Sequence, residues 1–120
     1  MLAGTDWPGG GFSFGNYSGA DRTILDEILG LAEAGLTPQD ALKTAITNPV
    51  TLFKLKDQLG TIERGKLADL DLLDGDPLAD ISNIKKISAV VINGRLVDAS
   101  ERQKIIDAEM AARKAPPKAN

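Results

Sequence analysis

The sequence predicts a small α+β domain, with helices first and an antiparallel strand pair after them. Three observations carry that prediction. Between residues 20 and 55 apolar side chains recur at helical spacing, with start or stop residues at the boundaries. Beyond Leu59 the period shortens to that of strands, and Asn93-Gly94 separates two strand-like runs. The chain has 120 residues, enough for one core, and its 42 % hydrophobic and 26 % charged residues are the composition of a soluble globular protein.

Residues 1–6 read as a short extended strand and 7–19 as a loop, because Pro8, Gly9, Gly10, Gly11 and Gly15 sustain neither a helix nor a central strand. Trp7, Phe12, Phe14 and Tyr17 stand on this loop, and a Gly-rich loop dense in aromatics reads as a shaped surface. A first helix is expected over 20–34, with Ile24, Leu25, Ile28, Leu29 and Leu31 on its apolar face, Asp21 near its start and Gly35 as a left-handed stop. A second is expected over 38–47, capped by Thr37 with Pro38 at the first helical position. Asn48-Pro49 repeats that signal and predicts a third helix over 49–55. From 59 to 98 strands are expected. Leu67 to Leu73 places Leu70 and Leu72 on one face, Asp74-Gly75-Asp76-Pro77 reads as a turn, and Ile87 to Ile92 is β-branched. Asn93-Gly94 then turns the chain into Arg95-Leu96-Val97, since both turn residues accept positive φ. Ser100 to Gln103 matches a capping box that opens a last helix over 99–114, and 115–120 is expected to be a disordered tail.

Composition excludes whole classes of chemistry. The net charge is −3, so the clustered cations of a nucleic-acid binder are missing. No apolar run approaches the roughly 20 residues of a membrane span. The N-terminus shows no basic-then-apolar export pattern, which favours a cytoplasmic setting. Cys and His are both absent, which excludes disulfides, thiolate nucleophiles, Ser-His-Asp sites and every imidazole- or thiolate-ligated metal built from this chain alone.

The order of motifs carries a resemblance. Ala3-Gly4-Thr5-Asp6 comes first, then an apolar helix ending Ala34-Gly35-Leu36-Thr37-Pro38, then Thr47-Asn48-Pro49. Leu59-Gly60-Thr61-Ile62-Glu63-Arg64-Gly65-Lys66-Leu67-Ala68-Asp69-Leu70 follows, then Asp74-Gly75-Asp76-Pro77-Leu78 and Val91-Ile92-Asn93-Gly94-Arg95-Leu96-Val97. Over residues 3–98 this series resembles the C-terminal end of the metal-dependent amidohydrolases, in the imidazolonepropionase-like and Xaa-Pro-dipeptidase-like branch. The resemblance implies an α/β fragment. Residues 1–58 would be the last strand and helices of a (β/α)8 barrel, and 59–98 would belong to an accessory β-sandwich. It implies a divalent metal, with zinc expected, at the C-terminal ends of the barrel strands, activating a water to attack a C–N bond. It assigns to Asp6 the carboxylate that binds the metal and handles the proton of that water. The family's His-x-His pair, bridging lysine or carboxylate and later histidines have no counterpart here, so the chain resembles about the last quarter of such an enzyme.

Each candidate residue also has a plainer reading. Asp6 alone holds a divalent ion weakly, because specific sites need several convergent donors, and a strand-end Asp also caps loops. The glycines between 9 and 15 do not match a phosphate-binding loop. Trp7, Phe12, Phe14 and Tyr17 stand as a substrate-facing wall or as packing over the barrel mouth. Asp69, Asp71, Asp74, Asp76 and Asp80 lack the closing Glu of a calcium loop and read as a solvated, turn-forming stretch. Three functions follow: a non-catalytic amidohydrolase fragment, inactive without the rest of the barrel; a small oligomerisation or interaction module; and, least supported, a hydrolase with an all-carboxylate metal site. Apolar faces made for a missing barrel predict self-association, most simply a homodimer.

Overall fold

The computed structural model describes residues 1–4 and 23–114. Its helical part opens with α1, Ile24–Glu33. Thr23 caps it through a reciprocal pair: the Asp26 amide donates to Thr23 Oγ1 at 3.4 Å and the Thr23 amide donates to Asp26 Oδ2 at 2.9 Å. The helix expected from residue 20 therefore starts at Ile24, on a Thr-x-x-Asp signal. It stops as expected at Gly35, whose φ is +110°. The Gly35 amide donates to the Ala32 carbonyl and the Leu36 amide to the Leu31 carbonyl, the paired bonds of a left-handed glycine cap.

Helix α2, Pro38–Ala45, has Thr37 as its cap and Pro38 at its start, as the sequence predicts, and ends two residues short of 47. The third helix differs more. Helix α3 runs Thr47–Leu52 rather than 49–55, follows α2 across Ile46, and has no side-chain cap. Asn48 is inside it and does not cap it. The helix stops early because Lys54 takes φ +58° and the Leu55 amide turns back to the Val50 carbonyl at 2.9 Å.

Strand β1, Leu70–Leu73, β2, Ile87–Ile92, and β3, Arg95–Asp98, form an antiparallel sheet in the order β1-β2-β3. β1 begins later than Leu67. The Leu67 amide is taken by Gln58, and the Ala68 carbonyl accepts from the Gly94 amide at 2.9 Å, so these residues brace turns. Register pairs Leu70 with Val91, Val91 with Leu96, and Leu72 with Ala89, placing all five on one face. A bulge between Leu72 and Leu73 ends this regularity. The hairpin forms as predicted, with Asn93 at φ +49° and Gly94 at +79° between the paired Ile92 and Arg95. Asp69 locks it by accepting the Asn93 amide at 2.6 Å.

A five-residue 3-10 helix, Ile81–Lys85, precedes β2; it is too short to show a period in sequence. Asp80 caps it by accepting the Ser82 amide at 2.9 Å. The last helix, α4, is Ala99–Lys114. Its cap is Asp98, which accepts the Glu101 amide at 2.8 Å, and not Ser100. Glu101 is drawn instead to an ion pair with Arg95, and Arg102 Nη1 donates to the Ile87 carbonyl at 3.1 Å, tying α4 to the sheet.

The core is small. Ile28, Ala41 and Ile84 bury together, bringing α1, α2 and the 3-10 helix into one cluster, while Ala89 and Val97 bury separately on the sheet. Lys85 Nζ meets Asp26 Oδ1 at 2.8 Å and adds an ionic tie between the helical and sheet halves.

Candidate functional site

Asp6, Trp7, Phe12, Phe14 and Tyr17 lie outside the described residues. The structure does show what holds the chain just before them. The Ala3 amide donates to the Thr44 carbonyl at 3.0 Å, and Asn48 Nδ2 donates to the Met1 carbonyl at 2.9 Å. Thr44 is buried, and its own hydroxyl donates to the Ala41 carbonyl at 2.5 Å, which fixes the end of α2. Segment 1–4 is thus clamped to the α2–α3 junction, two residues before Asp6. Sequence reasoning missed this clamp, because Asn48-Pro49 carries the pattern of a helix start and the bond spans 47 residues.

The acidic residues do not gather. Among the described residues no three His, Cys, Asp or Glu side chains converge as a metal site would require. Asp76 accepts the Leu78 amide at 2.8 Å and Asp80 the Ser82 amide, serving local backbone as expected of turn residues, whereas Asp69 accepts the Asn93 amide 24 residues on. Four carboxyls are held below their ordinary range. Lys85, then the Thr23 amide and hydroxyl, lower Asp26 to about 2. Thr37 and Lys43 lower Asp40, Lys66 and Thr61 lower Glu63, and Ser82 lowers Asp80. These shifts report caps and surface pairs rather than a poised acid or base.

Two concavities stand out among the described residues. One, of about 350 Å³, is walled by Thr47, Thr51, Thr61, Lys56 and Lys66. Its best-buried cation is already matched, since Lys66 Nζ lies 2.6 Å from both Glu63 Oε2 and Thr61 Oγ1. The larger is a groove of about 740 Å³ between the helices and the sheet, with Ile28 and Ile84 beneath and, among the described residues, Asp69 and Asp71 as its charged wall residues.

The amidohydrolase family profile matches residues 1–97, and the chain belongs to the amidohydrolase family. Solved structures agree. A Xaa-Pro dipeptidase with methionine bound in its active site is 32 % identical with a TM-score of 0.60 over 68 % of this chain and 21 % of that one. Molinate hydrolase is 33 % identical, TM-score 0.65, over 80 % of this chain and 20 % of that one. Phenylurea hydrolase B is 37 % identical, TM-score 0.58, over 63 % and 17 %. No curated protein matches. The chain therefore spans about a fifth of the length of these solved relatives. Among the described residues no helix is long and apolar enough to cross a membrane.

Proposed function

We propose that this chain is the closing C-terminal segment of a metal-dependent amidohydrolase of the imidazolonepropionase-like or Xaa-Pro-dipeptidase-like branch, an enzyme hydrolysing C–N bonds. In this reading residues 1–58 end the barrel, 59–98 brace the accessory sandwich, Asp6 supplies one carboxylate to the metal site, and Trp7, Phe12, Phe14 and Tyr17 shape the substrate mouth. The family match from the first residue to Val97 carries the reading, and a dipeptidase among the structural relatives fits cleavage of C–N bonds. When bound, a divalent metal, zinc by expectation, supplies a water of lowered pKa. The residues of this chain do not by themselves fit such an ion: His and Cys are absent, and the described carboxylates do not converge. The remaining donors belong to the other four-fifths of such an enzyme, and the chain alone is inactive.

The direct test is an assay of the purified chain with added zinc against dipeptides and cyclic amides. The expected result is no turnover above the metal-only blank. Turnover that disappears in Asp6→Ala would overturn the fragment reading in favour of a self-sufficient carboxylate site.

The chain also self-associates in this reading. Sixteen large hydrophobic side chains among the described residues are exposed, against five apolar residues that are buried. That ratio favours burial against another surface, since each Å² of apolar area removed from water stabilises by about 25 cal/mol. A two-fold homodimer is the simplest assembly that supplies it.

A further inference from the structure

The turn between β2 and β3 carries chemistry of its own. Asn93-Gly94 is the one Asn-Gly pair in the 120 residues, and both of its residues are exposed. With no side chain on Gly94, its backbone nitrogen can come close to the side-chain amide of the residue before it. Among the described residues no atom crowds the pair: a Cβ placed on Gly94 would meet nothing within 4 Å. What restrains the pair is therefore its conformation and its hydrogen bonds. The Asn93 amide donates to Asp69 Oδ1 at 2.6 Å, and the Gly94 amide donates to the Ala68 carbonyl at 2.9 Å. The peptide planes on both sides of Asn93 are thus held by the segment just before β1, with Asn93 at φ +49° and Gly94 at +79°.

We propose that Asn93-Gly94 is a latent self-modification site, restrained in the folded chain by Asp69 and the Ala68 carbonyl. The Gly94 nitrogen loses its proton to hydroxide and attacks Asn93 Cγ. An N–Cγ bond forms, the Cγ–Nδ2 bond breaks, and the Nδ2 group takes a proton from water and leaves as ammonia. Water then opens the cyclic imide to aspartate or to isoaspartate. The fold opposes the first step twice. The Gly94 N–H is committed to Ala68, which disfavours its loss. Reaching Cγ also turns the 93–94 peptide plane about the Asn93 Cα–C bond and away from that carbonyl, while Asp69 anchors the plane before it. The products loosen the same hairpin. Aspartate at 93 adds a charge to the residue whose amide Asp69 holds, and isoaspartate adds a backbone atom to a two-residue turn that must bring Ile92 opposite Arg95.

The test incubates the full chain in mildly alkaline buffer, with and without urea. It reads the mass gained when an amide becomes an acid, and isoaspartate in the peptide spanning residues 93 and 94. The folded chain should react at least about tenfold more slowly than the unfolded one, since reaction through local opening is scaled down by the opening equilibrium. Asp69→Ala should speed the folded reaction about threefold to tenfold, the worth of one hydrogen bond, with amide exchange at Ile28 unchanged. Asp69→Asn keeps an acceptor oxygen and should stay closer to the wild type. No reaction at 93–94 even in urea overturns the site. Equal rates in the folded and unfolded chain overturn the restraint. A folded Asp69→Ala that reacts at the wild-type rate, or whose faster reaction is matched by faster exchange at Ile28, overturns the part given to Asp69. Equal acceleration in Asp69→Asn and Asp69→Ala overturns the hydrogen bond as its means.

Discussion

Asn48 stands at the start of α3, yet its side chain serves the opposite end of the chain. Its amide holds the Met1 carbonyl, and the nearby Thr44 carbonyl holds the Ala3 amide. Together they fix the segment that leads into Asp6. Asn48→Asp keeps the side-chain shape and removes the donor. The expected cost is about 0.5–1.5 kcal/mol, the net worth of one hydrogen bond, with faster amide exchange at Ala3 and unchanged protection at Ile28. Unchanged exchange at Ala3 would show that the clamp does not hold in solution. Other single residues were legible because their demands are local. Gly35, Asn93 and Gly94 take the positive φ that their types allow. Thr37 meets an amide three residues on. Asn48 was misread for the converse reason: its pattern is local, but its partner is 47 residues away.

Among elements, caps decide the boundaries. Thr23 sets the start of α1, and Asp98 the start of α4. In each case a second acceptor of the right kind lay within a few residues, and periodicity alone does not choose between them. The strand expected from Leu67 shortens because its first residues brace turns. The tie between the helical and sheet halves, Asp26 to Lys85, was invisible in sequence because nothing local links α1 to the 3-10 helix. It carries a pH signature. Asp26 falls to about 2 in the fold, chiefly through Lys85, below the 3.8 of a free carboxyl. A lowered folded pKa gives stability that is complete above the unfolded value and is lost as pH falls toward the folded one. Asp40, Glu63 and Asp80 shift in the same direction. Thermal stability should therefore be level near neutrality and decline between about pH 4 and 2. Asp26→Asn should flatten that decline. An equal slope in wild type and variant would show that the Lys85 pair does not persist in solution.

At the scale of the whole molecule, the core joins three short elements, and much apolar surface stays uncovered. The order of helices and hairpin was legible, because each start and turn signal is local. The groove was not, since Ile24, Leu67 and Ile92 meet around it only through tertiary placement. The amidohydrolase resemblance could be read because its motifs keep their order over most of the chain, and the family match covers residues 1–97. Asp6 lies outside the described residues, and the chain spans about a fifth of the length of its solved relatives, so the site was not legible beyond the resemblance.

The central claim is that a lone carboxylate stands where a full set of metal donors is required. Calorimetric titration of zinc into the 120-residue chain tests it most directly. The account predicts only weak, non-stoichiometric heats, with any dissociation constant at or above about 1 mM, the range of sparsely liganded sites. One-to-one binding at micromolar zinc, abolished by Asp6→Ala, would contradict it.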